Sequence, residues 1–164
     1  MSSILKVDQL QDSGGNNLVT SNGSGVITSS AFGKVLQVVS VTNTTQQTTT
    51  SGTYVASTGF TASITPSSTS SKILVSVMSN IRSSADASYT LYRGATNLAG
   101  SGAFVQIYAG GADIRQLMTI NYLDAPSTTS ATTYTLYFLA GSGTAYINQE
   151  SDKQGQIILT EIGG

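Results

Sequence analysis

Ile73-Leu74-Val75-Ser76-Val77-Met78-Ser79-Asn80-Ile81 places Ile73, Val75, Val77 and Ile81 on one face of an extended chain, with Ser79 as the polar interruption. Successive side chains of a strand point to opposite sides, so this spacing predicts a strand with one face in a core. Upstream, Phe60, Ala62 and Ile64 alternate with Thr61, Ser63 and Thr65 until Pro66 ends the run, and residues 67–71 form a turn. Downstream, Leu117 to Leu123 sends Met118, Ile120 and Tyr122 one way and Thr119 and Asn121 the other. Tyr134, Leu136 and Phe138 repeat the pattern against Thr133, Thr135 and Tyr137. The predicted core therefore includes Ile73, Val75, Val77, Met118, Ile120, Leu136 and Phe138.

Shorter strands fill the intervals. Tyr89 to Arg93 precedes a Gly94–Asn97 turn, and Phe104 to Tyr108 ends at Gly110-Gly111. Gly141-Ser142-Gly143 reads as a hairpin turn into Thr144–Asn148, and Gln156 to Ile162 closes the run. Val35 to Val41 carries apolar residues on both faces, as in a strand covered on both sides. Asn43 to Thr53 is a polar Thr/Gln stretch, a loop or an exposed edge. No segment sustains the i, i+3, i+4, i+7 apolar spacing of a helix. About eight strands with turns every 8–12 residues predict an all-β, antiparallel β-sandwich of jelly-roll type over residues 34–164.

Residues 1–33 differ. Three apolar islands, Ile4-Leu5 with Val7, Leu18-Val19, and Val26-Ile27, are separated by Asp12-Ser13-Gly14-Gly15-Asn16-Asn17 and Ser21-Asn22-Gly23-Ser24-Gly25. Gly/Asn pairs favour tight reversals, and a hairpin this small is marginal alone in water. Ile4, Leu5, Val7, Leu18, Val19, Val26 and Ile27 are therefore the candidate attachment residues, covered by a partner or by identical chains.

Composition narrows the function. The chain has 164 residues with 25 Ser, 23 Thr and 17 Gly, a surface chemistry suited to strands and turns. Seven basic residues are scattered against eight acidic ones, so no basic stripe is present for nucleic acid. Neither a membrane-spanning run nor a cleaved secretory leader is expected. No His or Cys is present, which removes imidazole bases, thiol nucleophiles and thiolate metal sites. Among the acids only Glu150 and Asp152 are close neighbours, and Lys153 beside them suits a solvated loop. Asp12, Asn16 and Asn17 present oxygens but lack calcium-loop spacing, so turn chemistry accounts for them. No catalytic, cofactor or metal site is expected. The eight tyrosines are expected to pack in the core or at an interface, with sugar stacking the alternative.

Met1-Ser-Ser-Ile-Leu-Lys-Val-Asp-Gln-Leu-Gln-Asp-Ser-Gly-Gly-Asn-Asn-Leu-Val resembles the start of many structural proteins of marine and freshwater cyanophages and related phages. Three further stretches are similar to the same group: Gly33-Lys34-Val35-Leu36-Gln37-Val38, Ile64 to Val75, and Leu123-Asp124-Ala125-Pro126-Ser127-Thr128-Thr129. The ending from Ala145 to Gly163 is similar too, so the resemblance spans nearly the whole chain. It implies a short attachment segment followed by a β-sandwich head, assembled as a homotrimer, and carries over no catalytic residue.

Three roles stay open at this point, in order of preference. The first is a bacteriophage tail-fibre or tail-appendage protein, docked to other virion proteins through residues 1–33 and meeting the host surface, with a host glycan as a candidate partner. The second is a capsid decoration protein that stabilises the shell. The third is a carbohydrate-binding module. None involves nucleic-acid binding or membrane insertion.

Overall fold

The computed structural model describes residues 9–21, 23–24, 27–28, 35–149 and 154–163. Two compact units divide the chain, Met1–Lys34 and Val35–Gly164. In the first, β1 (Gln9–Gln11), β2 (Asn17–Ser21) and β3 (Ile27–Thr28) pair antiparallel in that order. Asp12 organises the β1–β2 turn: its Oδ1 accepts from the backbone N–H of Gly14 at 2.8 Å and of Asn16 at 2.9 Å. The Asn16 side-chain amide donates to the same carboxylate, and these hydrogen bonds from Asn16 and Gly14 hold the Asp12 pKa below its ordinary value. The carboxylate is thus occupied by its own turn.

The second unit contains β4 (Val35–Asn43), β5 (Gln47–Thr49), β6 (Val55–Ile64), β7 (Lys72–Ser83), β8 (Ala87–Arg93), β9 (Thr96–Asn97) and β10 (Val105–Ile107). It continues with β11 (Ile114–Asp124), β12 (Thr132–Ala140), β13 (Ala145–Ile147) and β14 (Gly155–Ile162). No helix occurs among the described residues. One sheet runs β4-β14-β7-β11, and the other runs β6-β12-β8-β10. Taking these as eight main strands, the first pairs with the last, the second with the seventh, the third with the sixth and the fourth with the fifth. A long hairpin rolled up across two sheets gives that pairing, so the unit is a jelly roll.

Alternation selects the core. Ile73, Val75, Val77, Ile120, Met118, Leu136 and Phe138 are all buried, while Thr119 lies exposed on the opposite side of its strand. Tyr134 is fully buried between them and Tyr137 is only half-buried, on the other face of β12. Tyr89 stacks on Phe138 with ring centroids 6.3 Å apart and planes 8° from parallel. Sealing these rings inside the sandwich contributes about 2–3 kcal/mol for each large side chain.

Two sequence readings need correction. Gly141-Ser142-Gly143 is not a hairpin turn. β12 already has β6 and β8 on its two edges, so no ladder position is left for β13, and the chain crosses to the other sheet to pair with β5 and β7. The Gly94–Asn97 turn also contains more structure than a bend, because β9 folds back on the end of β8.

Ser79, the polar interruption, has a structural cause. β13 and β14 lie along the same edge of β7, facing Ile81–Ser83 and Lys72–Met78. Between them the chain leaves the ladder at Asn148, whose φ is 52°. The Asn148 backbone N–H donates to Ser79 Oγ at 3.0 Å, and its side-chain amide donates to the Asn43 carbonyl at 2.8 Å. A buried apolar residue at position 79 would leave that N–H unpaired.

Candidate assembly surface

The described carboxylates of the second unit, Asp86, Asp113, Asp124 and Glu161, are used in holding the fold. Glu161 is fully buried on β14, and among the described residues it forms no ion pair. Its Oε1 accepts from the Ser67 backbone N–H and Ser67 Oγ, both at 2.7 Å, and its Oε2 accepts from Gln37 Nε2 at 2.6 Å. Gln37 Nε2 also donates to the Thr65 carbonyl at 2.7 Å, so one carboxylate joins β4, β14 and the loop between β6 and β7. Burial pushes its pKa up, but the hydrogen bonds from Ser67 and Gln37 outweigh that and bring it from the ordinary 4.5 to about 2.

A lowered folded-state pKa means the Glu161 contribution is fully present above the unfolded pKa and is lost as pH falls through the folded one. The loss should therefore fall between about pH 4.5 and pH 2. Glu161→Gln puts an amide donor among donors and should cost about 1–3 kcal/mol at pH 7. Urea titrations at pH 7 and pH 3 check this. The deficit of the variant should be large at pH 7 and smaller at pH 3, and an equal deficit at both would show that the charge is not responsible.

Asp124 lies at the same end of the sandwich, flanking Ile73 of β7 from β11 as Glu161 does from β14. Arg93 Nη1 donates to both its oxygens at 2.8 Å, and Tyr134 Oη donates to Oδ2 at 2.7 Å. Burial, then Asp124 itself, raises the Tyr134 pKa, which keeps that phenol a donor. Asp113 pairs with Arg82 at 2.7 Å, and Arg82 also lies 4.7 Å over the ring of Tyr146. Asp86 Oδ1 accepts from the Ala109 backbone N–H at 3.2 Å. Among the described residues, no three acidic, His or Cys side chains form a group. A shallow cleft of about 170 Å³ beside Arg115, Leu117 and Gln149 is small for a ligand site.

The outer face of the β4-β14-β7-β11 sheet has a different character. Register aligns its outward residues in rows across the four strands: Thr42, Gln156, Met78, Thr119; then Ser40, Ile158, Ser76, Asn121; then Val38, Thr160, Leu74, Leu123. None of the twelve is charged. Lys72 stands at one end of the face, and Arg82, Arg115 and Asp113 at the other. Val38 is 58% exposed, Leu117 60% and Leu123 52%, with Val35, Leu36 and Met78 also open to solvent. Four strands of 8 to 12 residues, about 4.8 Å apart, present roughly 600 Å², approaching the ~800 Å² that a stable interface takes from each partner. Val39 and Val41 point inward and pack on the core, which explains why β4 reads as apolar on both faces.

Of the sequence-derived attachment residues, Leu18 and Val19 lie half-buried on β2, and Ile27 lies on β3. Ile4, Leu5, Val7 and Val26 lie outside the described residues. Sequence reading missed the part played by Met78, Leu117, Leu123 and Ile158 in one continuous face. Each looks like an isolated departure from alternation, and only cross-strand register brings them side by side.

No protein-family model matches this chain, and no curated protein is significantly similar to it.

Proposed function

We propose that this chain is a non-enzymatic structural protein of a bacteriophage particle, a homotrimeric tail-fibre or tail-appendage protein that takes part in attachment to the host surface. The observation that carries the reading is the uncharged outer face of the β4-β14-β7-β11 sheet, where Val38, Leu74, Met78, Leu123 and Ile158 stand among neutral Thr, Ser, Asn and Gln side chains. A face of this extent left in water favours association, and identical copies meet there without like-charge repulsion. The resemblance read in both termini and in three internal stretches points to a phage particle as the setting. Residues 1–33 are the docking segment, because their strands are too few to form a core of their own and strand addition to a virion partner covers them.

Labelling purified particles with antibody raised against residues 35–164 tests the location. Label confined to the tail, at six to eighteen copies, is the expected result. Several hundred copies on the shell would instead favour capsid decoration, and label absent from particles would overturn the virion reading. Deleting residues 1–33 should leave a folded, soluble head that fails to incorporate. Normal incorporation of the truncated chain would move attachment to the head.

A further inference from the structure

The outer face of the β6-β12-β8-β10 sheet is also free of charge, but its chemistry is hydroxyl and aromatic. Tyr92 on β8 and Tyr137 on β12 stack with centroids 3.9 Å apart and planes 26° apart. Tyr54, just ahead of β6, meets Tyr92 edge-on at 6.3 Å, and its Oη donates to the Gly102 carbonyl at 3.2 Å. All three tyrosines are half-buried, and Thr90 beneath them is fully covered. The rings are thus fixed against the sheet while part of each stays in solvent.

The residue opposite Tyr137 on β6 is Ala56, which is exposed and too short to cover the ring face turned toward it. Beside the rings run two hydroxyl pairs between β6 and β12, Thr61 with Thr135 at 2.8 Å and Ser63 with Thr133 at 2.6 Å. A preformed aromatic surface bordered by neutral hydroxyls, with no ion nearby, matches a ligand that is apolar on one face and hydroxylated at its rim. A pyranose ring has that construction, since its axial C–H groups form an apolar face and its equatorial hydroxyls form the edge.

We propose that Tyr54, Tyr92 and Tyr137, with the step over Ala56, form a binding site for a neutral glycan. The proposal deepens the host-attachment reading, which it assumes: if the apolar sheet is turned toward the other copies, this face is the one left for the host. Tyr137 supplies the stacking surface on its side toward Ala56, Tyr92 backs that ring, Tyr54 pins the cluster to the 102 loop, and Thr135 and Thr61 offer hydrogen bonds to sugar hydroxyls.

The test is titration of the full chain against neutral gluco-, galacto- and manno-oligosaccharides, with a uronic-acid set as the charged comparison. Binding to at least one neutral member is expected, with Tyr137→Ala and Tyr92→Ala each losing about tenfold or more. Tyr137→Phe should retain binding, because the ring and not the phenol does the stacking. Ala56→Leu fills the step without removing a ring, and it should weaken binding even where a Tyr→Ala variant fails to fold. No binding to any neutral sugar, binding to the uronic-acid set alone, or affinity unchanged in Ala56→Leu and the Tyr→Ala variants would overturn the site. Particle labelling is independent of these titrations, so failure of the virion reading and failure of the glycan site are separately visible.

Discussion

Gly155→Ala is expected to destabilise the second unit by about 3 kcal/mol or more, at the upper end of overpacking effects. A Cβ at Gly155 would run into Phe60 Cζ, and would stand 2.7 Å from Phe60 Cε1 and 3.1 Å from the Met78 carbonyl. Phe60 is fully buried, and the carbonyl belongs to the central strand β7. Gly155 opens β14 opposite Asn43, where the chain rejoins the ladder after leaving it at Asn148. A shift there disturbs the pairing of the first strand with the last. Thermal or urea unfolding of the variant measures the effect. Adding Phe60→Leu, which shortens the opposing side chain, should return part of the loss if the clash is the cause. A Gly155→Ala protein as stable as the parent would show that the ring moves aside.

Val38→Glu combined with Leu123→Glu is expected to convert the proposed trimer to monomer at micromolar concentration. Both side chains are more than half exposed, so the jelly roll itself should keep its stability within about 0.5 kcal/mol per site. They lie at the two edges of one row, with Thr160 and Leu74 between them. In a symmetric assembly each substitution appears once per copy, so every interface acquires unpaired charge on a formerly uncharged surface. Placing an unpaired carboxylate against a neutral surface costs about 2 kcal/mol or more, so two of them imply a loss near a thousandfold in affinity. Sedimentation of parent and variant decides the matter. A parent that sediments as a monomer, or a variant that stays trimeric, would remove this face from the assembly.

The sequence by itself determined the class of the fold. Period-two spacing in Ile73–Ile81, Leu117–Leu123 and Tyr134–Phe138 identified both the strands and the face each one buries, because alternation is a local property of an extended chain. It also settled the available chemistry, since the absence of His and Cys is a fact of composition. What it did not contain was pairing. Gly141-Ser142-Gly143 has the local character of a hairpin turn, yet both edges of β12 are taken and the chain changes sheets. Ser79 is unremarkable until Asn148 arrives to use its hydroxyl, and Glu161 looks like a stray surface acid until Ser67 and Gln37 converge on it from 94 and 124 residues away. The two candidate surfaces have the same origin. Met78, Leu117 and Ile158 become one apolar face, and Tyr54, Tyr92 and Tyr137 one aromatic cluster, only when strands distant in sequence lie side by side. Periodicity is set by the local backbone, whereas register is set by long-range packing and reaches the surface only through the tertiary structure.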